Sequence, residues 1–204
     1  MRCFTLLLTA SCLALALAGD ASAKSALRWK LDIKPDESGR NPSGRVHVTP
    51  NEGPQQTYWF FVYTIKNTHD EAVPLQLHIR AETDASELVY SEGYYPRALA
   101  RIRNKYGDDV KDNLSLQGYE IAPGETVRAV AVYQFRRPDS REFEERMDRI
   151  KLRVHGYADP VKKIGSIFMV ENLELWMHYE KKGDQFSPNR ESVTYVGSEE
   201  SVVE

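Results

Sequence analysis

The sequence predicts a mainly β protein, an antiparallel β-sandwich of about eight to nine strands with one short inserted helix. Three observations carry that class. Apolar and polar residues alternate in many short segments, clusters of turn-forming residues separate those segments, and only one well-marked stretch repeats its apolar residues at helical spacing.

Leu27, Trp29, Leu31 and Ile33 alternate with Arg28, Lys30, Asp32 and Lys34, the two-residue period of a half-buried strand. PDESGRNPSG then forms a loop, and Val46 and Val48 mark a short strand closed by Pro50. In YWFFVYTI, residues 58–65, Trp59, Phe61, Tyr63 and Ile65 point one way and Tyr58, Phe60, Val62 and Thr64 the other. Bulk on both sides means a strand covered on both faces, and the sequence assigns it to the core between two sheets. Polar residues 67–71 follow, and alternation resumes over 75–81, so the two runs read as an antiparallel hairpin in which Pro74 starts the second strand.

A weaker strand at 88–90 leads to GYYPRALARIRNKYGDD. Pro96 suits a first helical position, Leu99, Ile102 and Tyr106 recur at helical spacing, and Gly107 is a stop. Ala122-Pro123-Gly124-Glu125 is a turn, and TVRAVAVYQF after it alternates cleanly. Residues 139–148 are charged with helical character, Ile150, Leu152 and Val154 form a strand, SIFMV and LELWMHYE give one or two more, and 193–196 a last. The organisation expected is a signal segment 1–23, a single domain 24–196 and a disordered acidic tail 197–204. An eight-stranded outer-membrane barrel is the competing closed architecture, and the polar segments RIRNKYGDDVKDN and RPDSREFEERMDR stand against it.

The chain opens with Arg2, an apolar run from Cys3 to Ala18 and Ala21-Ser22-Ala23, the pattern of a secretory signal peptide cut after Ala23, with Ala18 as the nearest alternative. Lipidation at Cys12 is disfavoured, because the apolar core ahead of it would be only about five residues long. No later segment is apolar over the length of a membrane-spanning helix. Cys3 and Cys12 both fall within the signal, so the processed chain would have no disulfide, no cysteine metal site and no thiol chemistry. A secreted domain without disulfides must rely on packing, which favours a bacterial exported protein in the periplasm or outside the cell. With 27 basic against 30 acidic side chains, no global field recruits nucleic acid or an anionic membrane.

YWFFVYTIKNTHDEAVPLQLHIRAETD, the helix PRALARIRNKYGD, the APGET turn and YEKKGDQFSPNRESVTYVG together resemble a set of secreted planctomycete proteins of unknown function. The likeness spans roughly residues 48–197 and departs at Lys182, where proline is expected before Gly183-Asp184. It implies a periplasmic or secreted immunoglobulin-like β-sandwich and carries over no catalytic residue.

Chemistry-bearing motifs are sparse. There is no G-x-S-x-G, and Ser166 reads as an ordinary strand-start serine. Histidines 47, 69, 78, 155 and 178 contain no H-x-H or H-E-x-x-H pair, and His78 and His178 fall at outward strand positions. Glu171, Glu174 and Glu180 are the candidates for an acid/base pair, which separation in space alone can establish. Asp109, Asp112 and Asn113 resemble a fragment of a calcium loop without its glycine and final glutamate, and Asn113-Leu114-Ser115 is a glycosylation sequon expected to stay unmodified. The most specific surface feature is the basic stripe Arg97, Arg101 and Lys105, with Arg103 nearby, which either grips an anionic ligand or, as such stripes more often do, forms the wet side of a helix whose apolar side packs on the sheet. Tyr94 and Tyr95 either stack on sugar rings or plug the end of the sandwich.

The expectation is an exported, non-enzymatic protein without a cofactor that binds or scaffolds an envelope protein or polysaccharide. Its alternatives are a hydrolase working through paired carboxylates and a binder of anionic glycans through helix 96–106.

Overall fold

The strand with bulk on both faces lies at the centre of the molecule. The computed structural model describes residues 26–85, 88–135, 147–164, 167–170, 172–181 and 193–203. The expected signal segment, the charged stretch 136–146, Ser166 and Glu171 lie outside the described residues.

Strand β3 (Gln56–Asn67) has both edges occupied. One edge pairs along its length with β9 (Thr126–Tyr133), from Trp59↔Tyr133 to Lys66↔Thr126. The other edge is shared by β1 (Ala26–Pro35), which covers Tyr63 to Asn67, and β2 (Ser43–Val48), which covers Gln56 to Phe61. Beyond β1 lie β11 (Ala158–Ile164) and β12 (Ile167–Val170), and β7 (Lys111–Asp112) runs parallel beside β9. A second, five-stranded antiparallel sheet has the order β14 (Thr194–Val203), β13 (Asn172–Glu180), β10 (Arg149–His155), β5 (His78–Thr83) and β6 (Val89–Ser91). Strands β4 (Val73–Pro74) and β8 (Glu120–Ile121) make a small separate pair.

The inward residues of both sheets form one core. Trp59, Phe61, Tyr63 and Ile65 of β3 and Ala129, Ala131 and Tyr133 of β9 pack with Ile79, Ala81, Ile150, Leu152, Val154, Met177 and Tyr179 of the second sheet. Helix α1 (Pro96–Tyr106) covers the opposite side of β3, where Ala98, Leu99, Ile102 and Tyr106 pack on Tyr58, Phe60, Val62, Val130 and Val132. The bulky strand is therefore shared between two cores, one between the sheets and one under the helix, where the sequence reading had the first alone. Each large side chain buried there is worth roughly 1.5–3 kcal/mol.

Helix α1 has the ends expected. Pro96 occupies the first turn, and the Gly107 N–H donates to the Arg103 carbonyl at 2.8 Å. The 122–125 turn also matches, with the Glu125 N–H donating to the Ala122 carbonyl at 3.0 Å and Gly124 at φ 74°. Proline second and a left-handed residue third are the requirements of a type II turn.

Three expectations are corrected. The 58–81 hairpin does not form, because β1, β2 and β9 take both edges of β3 and the chain instead crosses to the second sheet, where β5 pairs with β10 and β6. Leu75 and Leu77 are buried in that crossing, whose carbonyls accept from Gly118 N–H, Gln117 Nε2 and Asn113 Nδ2. Residues 197–203 are not a disordered tail but the body of β14, paired with β13 from Asn172↔Val203 to His178↔Gly197. A strand at a sheet edge is held by main-chain hydrogen bonds on one side and tolerates charge on the other, so acidic composition hid it. Finally, the described residues contain fourteen strands rather than eight or nine, because pairings as short as β4, β7 and β8 leave no periodicity to read. The strands form separate open sheets, not a barrel, and no helix among the described residues is long and apolar enough to cross a membrane.

Candidate functional site

Helix α1 carries Arg97, Arg101, Arg103 and Lys105 and no acidic residue. Its apolar side is held on the sheet, so the basic residues are divided by their height on the helix. Arg97 and Arg101 are exposed, and Arg97 Nη2 donates to Asn51 Oδ1 at 3.2 Å. The Lys105 ammonium lies 5.3 Å from the centre of the Tyr106 ring and 6.0 Å from that of Phe60. Arg103 turns away, and its Nε donates to the Val110 carbonyl at 2.9 Å, securing the loop beyond the helix. Of the expected stripe, Arg97, Arg101 and Lys105 remain as an outward row, while Arg103 is used internally. Among the described residues no carboxylate forms an ion pair with any of the three.

The two tyrosines before the helix part company. Tyr94 is 61% exposed, whereas the Tyr95 ring packs at a tilt against Tyr58 with ring centres 4.7 Å apart. Tyr94 is available to a ligand, and Tyr95 plugs.

Beyond the C-terminal end of α1 the same outer sheet face continues into a polar region centred on Arg128. Thr64 and Arg128 are cross-strand partners whose side chains follow Val62 and Val130 onto the helix-facing side. Arg128 Nη2 donates to Asp36 at 2.7 Å, and Nη1 donates to both Asp109 oxygens at 3.0 and 2.8 Å and to the Tyr106 carbonyl at 3.1 Å. One guanidinium thus ties the end of β1, the end of α1 and β9 together. Burial pushes the Asp36 carboxyl up, but hydrogen bonds from Arg128 and Ser38 outweigh it and hold the group below its ordinary range. Glu125 is also held low, by the Tyr119 hydroxyl at 2.6 Å and the Ala122 N–H at 2.8 Å.

The expected acid/base candidates are spent elsewhere. Glu174 is buried on the outer side of the second sheet, where Arg153 Nη2 donates at 2.7 and 3.0 Å and Trp176 Nε1 at 2.9 Å. His155 Nε2 lies 2.9 Å from the same carboxylate. Burial lowers the His155 pKa, against the pull of Glu174. Arg153 also donates to Glu82 at 2.9 Å, and His178 meets Glu199 at 3.2 Å, so the acids of this sheet face are paired with its cations. Glu180 sits opposite Arg149 on β10. His78 and His178 face outward as expected.

Asp109, Asp112 and Asn113 point to three different tasks. Asp109 holds Arg128, and Asp112 Oδ1 accepts from the Ser115 N–H at 3.3 Å at the start of a 3-10 turn. Asn113 is buried, accepting from the Tyr63 hydroxyl at 2.7 Å and donating to Glu92 at 2.6 Å, so its carboxamide is engaged on both sides. Among the described residues no group of three histidines, cysteines or acids could hold a metal ion.

Sequence reasoning missed Arg128, Asp36 and Glu92. Arg128 left one signal, a charged residue in the otherwise apolar outward row Arg128, Val130, Val132 of β9. Asp36 and Glu92 left none, since both lie in loop segments whose partners are far along the chain. No protein-family model, curated protein or solved structure matches this chain.

Proposed function

We propose that this chain is an exported, non-enzymatic module of immunoglobulin-like β-sandwich build that binds anionic polysaccharide in the periplasm or cell envelope, along the outward row of α1. The observation that carries this is the contrast between two surfaces. On the five-stranded sheet Arg153 is held between Glu174 and Glu82, whereas Arg97, Arg101 and Lys105 form a row at one-turn spacing on a helix without acids. A row of uncompensated charge attracts a polymer of opposite charge.

The state of the carboxylates supports binding over hydrolysis. Glycoside cleavage needs one acid kept protonated near neutral pH. Asp36 and Glu125 are held ionised and Glu174 is clasped by Arg153, while Glu92, the carboxyl that burial pushes up to about 7, is engaged by the buried Asn113 carboxamide.

The test is sedimentation of the protein with polygalacturonate across a salt series. Retention that falls as salt rises, and that disappears in Arg101→Glu, is the expected result. Retention that ignores both salt and the substitution overturns the proposal.

A further inference from the structure

The part of the seven-stranded sheet's outer face that α1 leaves uncovered is concave. A hollow of about 710 Å³ lies over Thr64, Thr126 and Arg128, with the exposed Tyr119 at its side and the edges of Leu116 and Val127, which otherwise belong to the core between the sheets, at its back. A second hollow of about 370 Å³ adjoins it across Thr64 and Arg128 and reaches Lys34 and Glu37. The larger one falls in the size range of small-molecule sites.

Its chemistry is balanced and fixed. Arg128 and Lys111 face Asp109 and Glu125, so the lining favours neither an anion nor a cation. Both carboxylates are pinned, Asp109 by Arg128 and Glu125 by Tyr119 and the Ala122 N–H, which leaves their remaining lone pairs at set positions. Arg128 Nε is buried without a hydrogen-bond partner among the described residues. The Tyr119 ring, 44% exposed, offers a flat apolar surface beside Leu116 and Val127.

We infer that this hollow binds an uncharged sugar residue, separately from the charged row of α1. A pyranose presents one apolar ring face and a rim of hydroxyls that both donate and accept. The ring face suits Tyr119, and the hydroxyls match acceptors on Asp109 and Glu125 and the donor on Lys111. Shape and hydrogen bonding would select the sugar, whereas the helix row responds to charge alone.

The experiment is calorimetric titration of the full chain with neutral gluco-, manno-, galacto- and N-acetylglucosamine oligosaccharides. At least one is expected to bind with an affinity insensitive to salt. Tyr119→Ala should weaken it about tenfold, Lys111→Ala should weaken it by a smaller factor, and Arg101→Glu should leave it unchanged. Circular dichroism of each variant separates lost binding from lost folding, and Lys111→Ala, on an exposed side chain, keeps the test open if Tyr119→Ala unfolds. No heat with any neutral sugar, or unaltered affinity in folded Tyr119→Ala and Lys111→Ala, overturns the inference. Polygalacturonate retention by the parent protein together with no heat from any neutral sugar would overturn this site alone and leave the helix row standing.

Discussion

The Asn113 carboxamide donates to the Glu92 carboxyl at 2.6 Å, joining the loop after β6 of one sheet to the turn after β7 of the other. Around this contact the Tyr63 hydroxyl donates to Asn113, and the Tyr133 hydroxyl donates to the Ile79 carbonyl at 3.1 Å. The Asn113–Glu92 and Tyr133–Ile79 bonds link the two sheets, as do the Gly93 N–H donating to the Val132 carbonyl at 3.0 Å and the Lys30–Glu200 ion pair. A buried network like the one around Asn113 fixes one arrangement of the layers.

Burial and the neighbouring Asp112 push Glu92 up to about 7, against the hydrogen bond from Asn113. A carboxyl whose pKa is higher folded than unfolded binds more protons in the folded state, so stability falls as pH rises from about 4.5 through about 7. The total effect is of the order of 3 kcal/mol. In urea titrations at pH 5 and pH 8, Glu92→Gln should remove this part of the pH dependence and be the more stable protein at pH 8. An unaltered pH profile in the variant would contradict the buried position of the carboxyl.

The two faces of β3 should fail differently. Phe61 is fully buried between the sheets, 4.7 Å from Tyr179 and 6.0 Å from Tyr133 by ring centres. Phe61→Ala should cost about 3–5 kcal/mol in global stability. Phe60 packs edge-on to Tyr106 of the helix at 5.5 Å. Phe60→Ala should raise amide exchange throughout α1 before it unfolds the sheets, measured by hydrogen–deuterium exchange.

Arg128 stands against a nearly inaccessible Asp36. Arg128→Met leaves that carboxylate buried without its charge partner, which should cost about 3–5 kcal/mol. Adding Asp36→Leu should return much of the loss, since apolar replacement of both partners removes the stranded charge. The pair's coupling is read from denaturation of the two single variants and the double variant.

Gly156, at φ 75°, faces the chain crossing between the sheets, and a Cβ built there would lie 2.2 Å from the Gln76 carbonyl oxygen. Gly156→Ala should destabilise by more than about 1 kcal/mol, from the contact and the left-handed backbone together. Thermal melting tests this directly, and a melting temperature equal to the parent's would refute the close approach.

Local patterns were legible wherever side-chain period and turn chemistry act on neighbours in the chain. The faces of β3, the start and stop of α1, the turn at Pro123-Gly124 and the outward direction of His78 and His178 all follow from such rules. Of the charged stripe, Arg97, Arg101 and Lys105 were readable because helical spacing alone puts them in a row. Arg103, which belongs to no such row, was assigned to the surface and instead secures the Val110 loop.

Which strands pair was decided in three dimensions. Alternation says which side of a strand is greasy and nothing about its neighbours, so 58–81 read as one hairpin although β3 and β5 lie in different sheets. The acidic β14 and the three-way clamp of Arg128 on Asp36 and Asp109 were hidden for the same reason. Main-chain pairing leaves no mark on composition, and a charge acquires its partner only when segments far apart in the chain are packed against each other.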